Sequence, residues 1–129
     1  PTIAKHMKKY FFIFFFAIPL LSGCGLASKA PVQVPANEIP AGHFYFYATN
    51  CPHCATVSQY VTEHNIKQKT FYIDREVSAN AANRDLLIAV GKKCGISTVD
   101  LAVPLFWDGK QCYQGADQVT SYFEIIRQQ

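Results

Sequence analysis

From residue 42 onward, the chain alternates between continuous apolar runs and segments whose apolar residues recur every three or four positions. His43-Phe44-Tyr45-Phe46-Tyr47-Ala48 is an unbroken aromatic run closed by Thr49-Asn50, the pattern of a buried central strand. Pro52 suits a first helical position, and Val57, Tyr60, Val61 and His64 follow at helical spacing, which predicts a helix over residues 52–64. Lys69-Thr70-Phe71-Tyr72-Ile73-Asp74 predicts a second strand, parallel to the first because a helix intervenes. Ser78 reads as the N-cap of a helix over 79–94, carried by Ala82, Leu86, Ala89, Val90 and Lys93 and stopped by Gly95. Strands over 103–107 and 110–113 flank Asp108-Gly109, which predicts a two-residue hairpin. Gly115-Ala116-Asp117, with Asp117 as cap, leads into a final amphipathic helix bearing Val119, Tyr122, Phe123 and Ile126. The predicted order is βαβαββα.

The first forty residues follow a different pattern. Met7-Lys8-Lys9 precedes an apolar run from Tyr10 to Leu21, the layout of a bacterial export signal expected to begin at Met7. That run is shorter than the roughly 20 residues a spanning helix needs, and Pro19 interrupts it. Its end, Leu21-Ser22-Gly23-Cys24, resembles the lipobox of bacterial lipoproteins, in which the cysteine is lipidated and becomes the mature N-terminus. This resemblance implies a leader over 1–23, lipidation of Cys24, a flexible Pro- and Ser-containing tether over 24–41, and a globular unit over 42–129 anchored in the bacterial periplasm.

Composition narrows the function. A chain of 129 residues with half its positions hydrophobic and 14% aromatic supports one folded domain with a core. Of its 12 Lys and Arg, three precede the apolar run, leaving nine against the 9 Asp and Glu. Without a basic excess on the globular unit, nucleic acid is not an expected partner.

The candidate chemistry lies in Cys51-Pro52-His53-Cys54, between the first predicted strand and helix. A cysteine at a helix N-terminus meets free N–H groups and the positive end of the helix dipole, which favour thiolate over thiol. Cys54 lies one turn further and can close a short disulfide with Cys51. One cysteine attacks and the other resolves. His53 can donate a hydrogen bond or charge to the Cys51 thiolate, stabilising the reduced state and making the disulfide more oxidising.

The order βαβαββα with Cys-x-x-Cys after the first strand resembles the thioredoxin superfamily, and the short globular unit is most similar to a glutaredoxin-sized member. The resemblance implies an α/β fold with a four-stranded mixed sheet flanked by helices. It implies a cis-proline at Pro104, facing the active cysteine, with the Val103 main chain pairing to an extended substrate. Gly115-Ala116-Asp117 resembles the glycine turn before the last helix of the family, whereas the stretch 94–102 is longer than in a plain glutaredoxin. The Pro52-His53 dipeptide is similar to that of DsbA-type periplasmic oxidases, although the chain is too short for their helical insertion.

The implied function is thiol:disulfide exchange on exported proteins, as an oxidant. Cys51, Cys54, His53 and Pro52 would form the catalytic motif, and Val103 and Pro104 the substrate platform. The redox disulfide would serve in place of a cofactor, with protein thiols or disulfides as substrates and a membrane redox partner to reset the enzyme. The alternatives are a reductase for periplasmic disulfides or cytochrome c maturation, and a non-catalytic copper-binding lipoprotein. For the last, His43, His53 and His64 could supplement the cysteines, but no metal site is assigned, because the remaining ligands form no second close pair. With Cys51 joined to Cys54, Cys94 and Cys112 are left to form either a structural disulfide or a second redox pair.

Overall fold

A computed structural model describes residues 38–129; the expected leader, Cys24 and most of the tether lie outside the described residues. The elements are β1 (Phe44–Tyr47), α1 (Pro52–Glu63), α2 (Ile66–Lys69), β2 (Ile73–Glu76), α3 (Ala81–Lys93), β3 (Leu105–Trp107), β4 (Cys112–Gln114) and α4 (Ala116–Gln128). They form a four-stranded sheet in the order β2-β1-β3-β4. β1 runs parallel to β2 and antiparallel to β3, and β3 is antiparallel to β4. This is the mixed, helix-flanked sheet expected of a thioredoxin-like chain.

Side-chain alternation along the strands divides the core in two. Phe44, Phe46, Leu105 and Trp107 face Val77 and the α3 residues Leu86, Leu87 and Val90. Tyr45 and Phe106 face the other way, against Val57 of α1, Ile66, Tyr72, and Val119 and Phe123 of α4. Both faces of β1 are covered, which is why its sequence is continuously apolar rather than alternating. Ile39, from the segment read as tether, packs against the first cluster.

Several boundaries differ from the expected ones. Residues 69–72 are not strand. Asn65 adopts a left-handed conformation (φ 51°), and Ile66–Lys69 then forms a single helical turn. That turn buries Ile66, and Lys69 Nζ donates to the Arg127 carbonyl at the end of α4. β2 begins only at Ile73, opposite Phe44. As an edge strand it carries the sequence Ile-Asp-Arg-Glu, so main-chain pairing rather than apolar period defines it.

The N-cap of α3 is Asn80, whose Oδ1 accepts from Asn83 N at 3.0 Å, and not Ser78, whose hydroxyl accepts from Thr49 N. α3 ends in a Schellman motif: Ile96 N donates to Gly91 O at 2.9 Å and Gly95 N to Lys92 O, with Gly95 at φ 73°. The β3–β4 ladder ends at Trp107–Cys112; Asp108 N then donates to Gln111 O at 3.2 Å and Asp108 Oδ1 accepts from Lys110 N and Gln111 N, so the two-residue turn falls on Gly109-Lys110, one position later than expected. α4 is capped by Gly115 at φ 89°, while Asp117 sits inside its first turn.

Candidate active site

The peptide leaving β1 is anchored before it reaches the cysteines. Glu76, the last residue of β2, accepts hydrogen bonds from Ser78 N (2.7 Å), Ala79 N (3.0 Å) and the Thr49 hydroxyl (3.3 Å). The Ala79 backbone bond leads the causes that hold the Glu76 carboxyl well below its ordinary range, at about 2. Thr49 N donates in turn to Ser78 Oγ, so the turn entering α1 is tied to the turn entering α3.

Cys51 is the N-cap of α1, extended at φ −110° and ψ 108°, and Pro52 follows as its first residue. The Cys54 backbone N–H donates to Cys51 Sγ at 3.1 Å. The Cys51 sulfur thus occupies the capping position that a serine or aspartate oxygen usually fills. Cys51 and Cys54 are joined as a disulfide with their Cα atoms 5.2 Å apart. They differ in access: Cys51 is half-buried and Cys54 is 3% exposed. Beneath them the Tyr45 hydroxyl donates to the Cys54 carbonyl at 3.4 Å. Burial, reinforced by Asp74, pushes the Tyr45 phenol far up, so it stays a neutral donor.

Val103 and Pro104 meet this site from the other side. Their peptide bond is cis, and the Val103 carbonyl oxygen lies 3.8 Å from Cys51 Sγ. While the disulfide is closed, Cys51 has no proton to donate. Neither the N–H nor the C=O of Val103 then has a hydrogen-bond partner among the described residues. An open groove of about 440 Å³ runs past this peptide, and its lining includes His53, Val103, Pro104, Gln114, Asp117 and Gln118. His53 is exposed on the first turn of α1 and makes no hydrogen bond among the described residues.

The other two candidate histidines lie elsewhere. His43 stands before β1, edge-on to Phe106, and His64 caps the far end of α1 against Tyr60. Among the described residues no three His, Cys, Asp or Glu side chains are gathered as for a metal ion. Cys94, at the C-cap of α3, is bonded to Cys112 of β4, with Cα atoms 6.1 Å apart and both residues half-buried. Sequence reasoning missed Glu76, Tyr45 and Gln114, whose roles depend on hydrogen bonds between elements that meet only in the fold.

No family model matches the chain, and no curated protein does. Among solved structures, the chain is similar to the holo form of glutaredoxin C1 from Populus tremula x tremuloides. That match has 21% identity and a TM-score of 0.49, covering 67% of this chain and 76% of the other. It is also similar to oxidized glutaredoxin 2 from Chlamydomonas reinhardtii, at 15% identity and a TM-score of 0.43, covering 65% of this chain and 72% of the other.

Proposed function

We propose that the protein is a thiol:disulfide oxidoreductase acting on exported proteins, anchored to a bacterial membrane through lipid on Cys24. The observation that carries this reading is the asymmetry of the pair. A half-buried Cys51 sulfur caps α1 and accepts the Cys54 N–H, while Cys54 is enclosed. An incoming thiolate can therefore reach Cys51 and not its partner.

In the oxidising direction, a substrate thiolate attacks Cys51 Sγ, the Cys51–Cys54 bond breaks, and Cys54 leaves as a thiolate that takes up a proton. A second substrate thiolate then attacks the substrate sulfur of the mixed disulfide and expels Cys51. The substrate is oxidised by two electrons and the Cys51/Cys54 pair is reduced. Cys51 is a good leaving group because the helix N-terminus and the Cys54 N–H stabilise its anion. Pro52 starts the helix without wasting an N–H, and His53, on the same first turn, would add a donor to the Cys51 thiolate. Val103 offers an unpaired N–H and C=O next to Pro104, suited to pairing with an extended substrate chain.

The two electrons reside in the dithiol itself, so this chemistry calls for no bound cofactor. A quinone-linked membrane oxidase would reset an oxidant, and a membrane electron donor would reset a reductase. The test is oxidative refolding of a reduced substrate, with insulin reduction run alongside. Cys51→Ser should abolish both activities, and Cys54→Ser should accumulate mixed disulfides. Inactivity of the wild-type chain in both assays, with tight Cu(I) binding, would favour the metal-binding alternative. Loss of fatty-acid labelling in Cys24→Ala checks the anchor.

A further inference from the structure

The long connection from α3 to β3 is gripped at two points by alternate residues of β4. Cys112 holds its start through the bond to Cys94. Gln114, two residues on, holds its end: Oε1 accepts from Ala102 N at 3.0 Å and Nε2 donates to the Asp100 carbonyl at 3.0 Å. One side chain thereby satisfies an acceptor and a donor two residues apart, as a neighbouring strand would. The Gln114 main chain is fixed as well, its N–H donating to Gln118 Oε1 at 3.1 Å. Ala102 is bonded directly to Val103, whose carbonyl faces Cys51 Sγ at 3.8 Å.

We propose that Gln114 is a positioning residue for substrate exchange: its amide sets the Val103 main chain against Cys51, and so governs how well an extended polypeptide pairs beside the reacting sulfur. This rests on the exchange reading above. Only a carboxamide of this length provides the two bonds at neutral pH. A carboxylate can accept from Ala102 N but repels the Asp100 carbonyl, whereas a protonated carboxyl group can again donate and accept.

The test compares wild type, Q114A and Q114E as full chains, with Cys51 and Cys54 reduced and Cys94–Cys112 intact, against two probes. One is a disulfide-bridged peptide and the other is bis(2-hydroxyethyl) disulfide, which has no peptide main chain to pair. In either reaction the Cys51 thiolate attacks a probe sulfur, and closure of Cys51–Cys54 releases two thiols. Q114A should slow the peptide reaction about tenfold, the scale of a lost hydrogen bond or two, and leave the small disulfide within about twofold. The peptide rate of Q114E relative to wild type should recover as pH falls through the carboxyl range near ~4.3, whereas that of Q114A stays flat. Parallel slowing of both probes, or of neither, would overturn the positioning role while leaving the exchange reading intact. A wild-type chain inert toward both probes when reduced, and equally inert toward a dithiol peptide and dithiothreitol when oxidised, would overturn the exchange reading and this proposal together.

Discussion

Gly91 in the last turn of α3 lies so close beneath Leu101 that a Cβ added there would stand 2.6 Å from Leu101 Cδ1 and 3.3 Å from its Cγ. The missing side chain is what lets the α3–β3 connection lie flat on the helix just before Val103. Gln114 holds the main chain on either side of Leu101, and the Leu101 side chain packs half-buried against the α3 cluster, so moving its methyls aside costs packing.

Gly91→Ala therefore sets two effects against each other. Helix propensity favours alanine by about 1 kcal/mol, and overpacking costs about 1–3 kcal/mol. The expected outcome is a net loss of about 1 kcal/mol in urea denaturation. In a Leu101→Ala background the same substitution should instead stabilise by about 1 kcal/mol, the propensity gain freed of the clash. Equal effects in the two backgrounds would mean that Leu101 relaxes without cost.

Glu76 predicts a pH dependence. Its folded value of about 2 lies below the ordinary 4.5, so its contribution is complete above about 4.5 and is lost as pH falls through about 2. Glu76→Gln should lower the urea midpoint at pH 7, and the gap from wild type should close between pH 4.5 and about 2. Glu124, also held low, by Arg127 first and then by Tyr60 and Gln128, titrates in both proteins and cancels from the difference. A gap that stays constant with pH would assign the effect of Glu76 to shape rather than charge.

The elements that were legible in the sequence are those whose signal is local. The run from Phe44 to Tyr47, the helical spacing in α1, α3 and α4, and the three-residue separation of Cys51 and Cys54 each depend on neighbours within a turn or a strand. The start of β2 is not legible, because its residues follow no apolar period and it is set by pairing with Phe44. Ser78 has the chemistry of a cap, but its hydroxyl is recruited by Thr49, 29 positions away. Gln114 has no signature of its own. Its importance arises only once β4 and the α3–β3 connection lie side by side.

Cys94 and Cys112 allow a sharp distinction between staple and relay. As a staple, the bond closes a separation of 18 residues and should contribute about 3 kcal/mol in the chain-entropy model. The double variant Cys94→Ser, Cys112→Ser should lose up to about 3 kcal/mol of stability while still reducing bis(2-hydroxyethyl) disulfide within about twofold of wild type. A protein that kept its stability but could no longer be reset by a dithiol donor would instead make this pair an electron relay to Cys51.

His53 bears on the direction of exchange. It stands exposed on the first turn of α1, in the groove beside Val103 and Pro104. An imidazole donor there would stabilise a thiolate on Cys51, so its effect is read in the reduced state. His53→Ala should raise the pH at which Cys51 ionises by about one and make the Cys51/Cys54 disulfide less oxidising by up to about 30 mV, since a tenfold change in this two-electron equilibrium is ~30 mV. Ultraviolet titration of the thiolate measures the first quantity, and equilibration with glutathione measures the second. The wild-type potential also fixes the direction: a value near about −120 mV fits an oxidant, and one near about −270 mV rejects that role in favour of a reductase. The two changes in His53→Ala must appear together, because both report stabilisation of one anion. If both stay put, the Cys54 N–H and the helix N-terminus alone tune Cys51, and the imidazole serves only the wall of the groove.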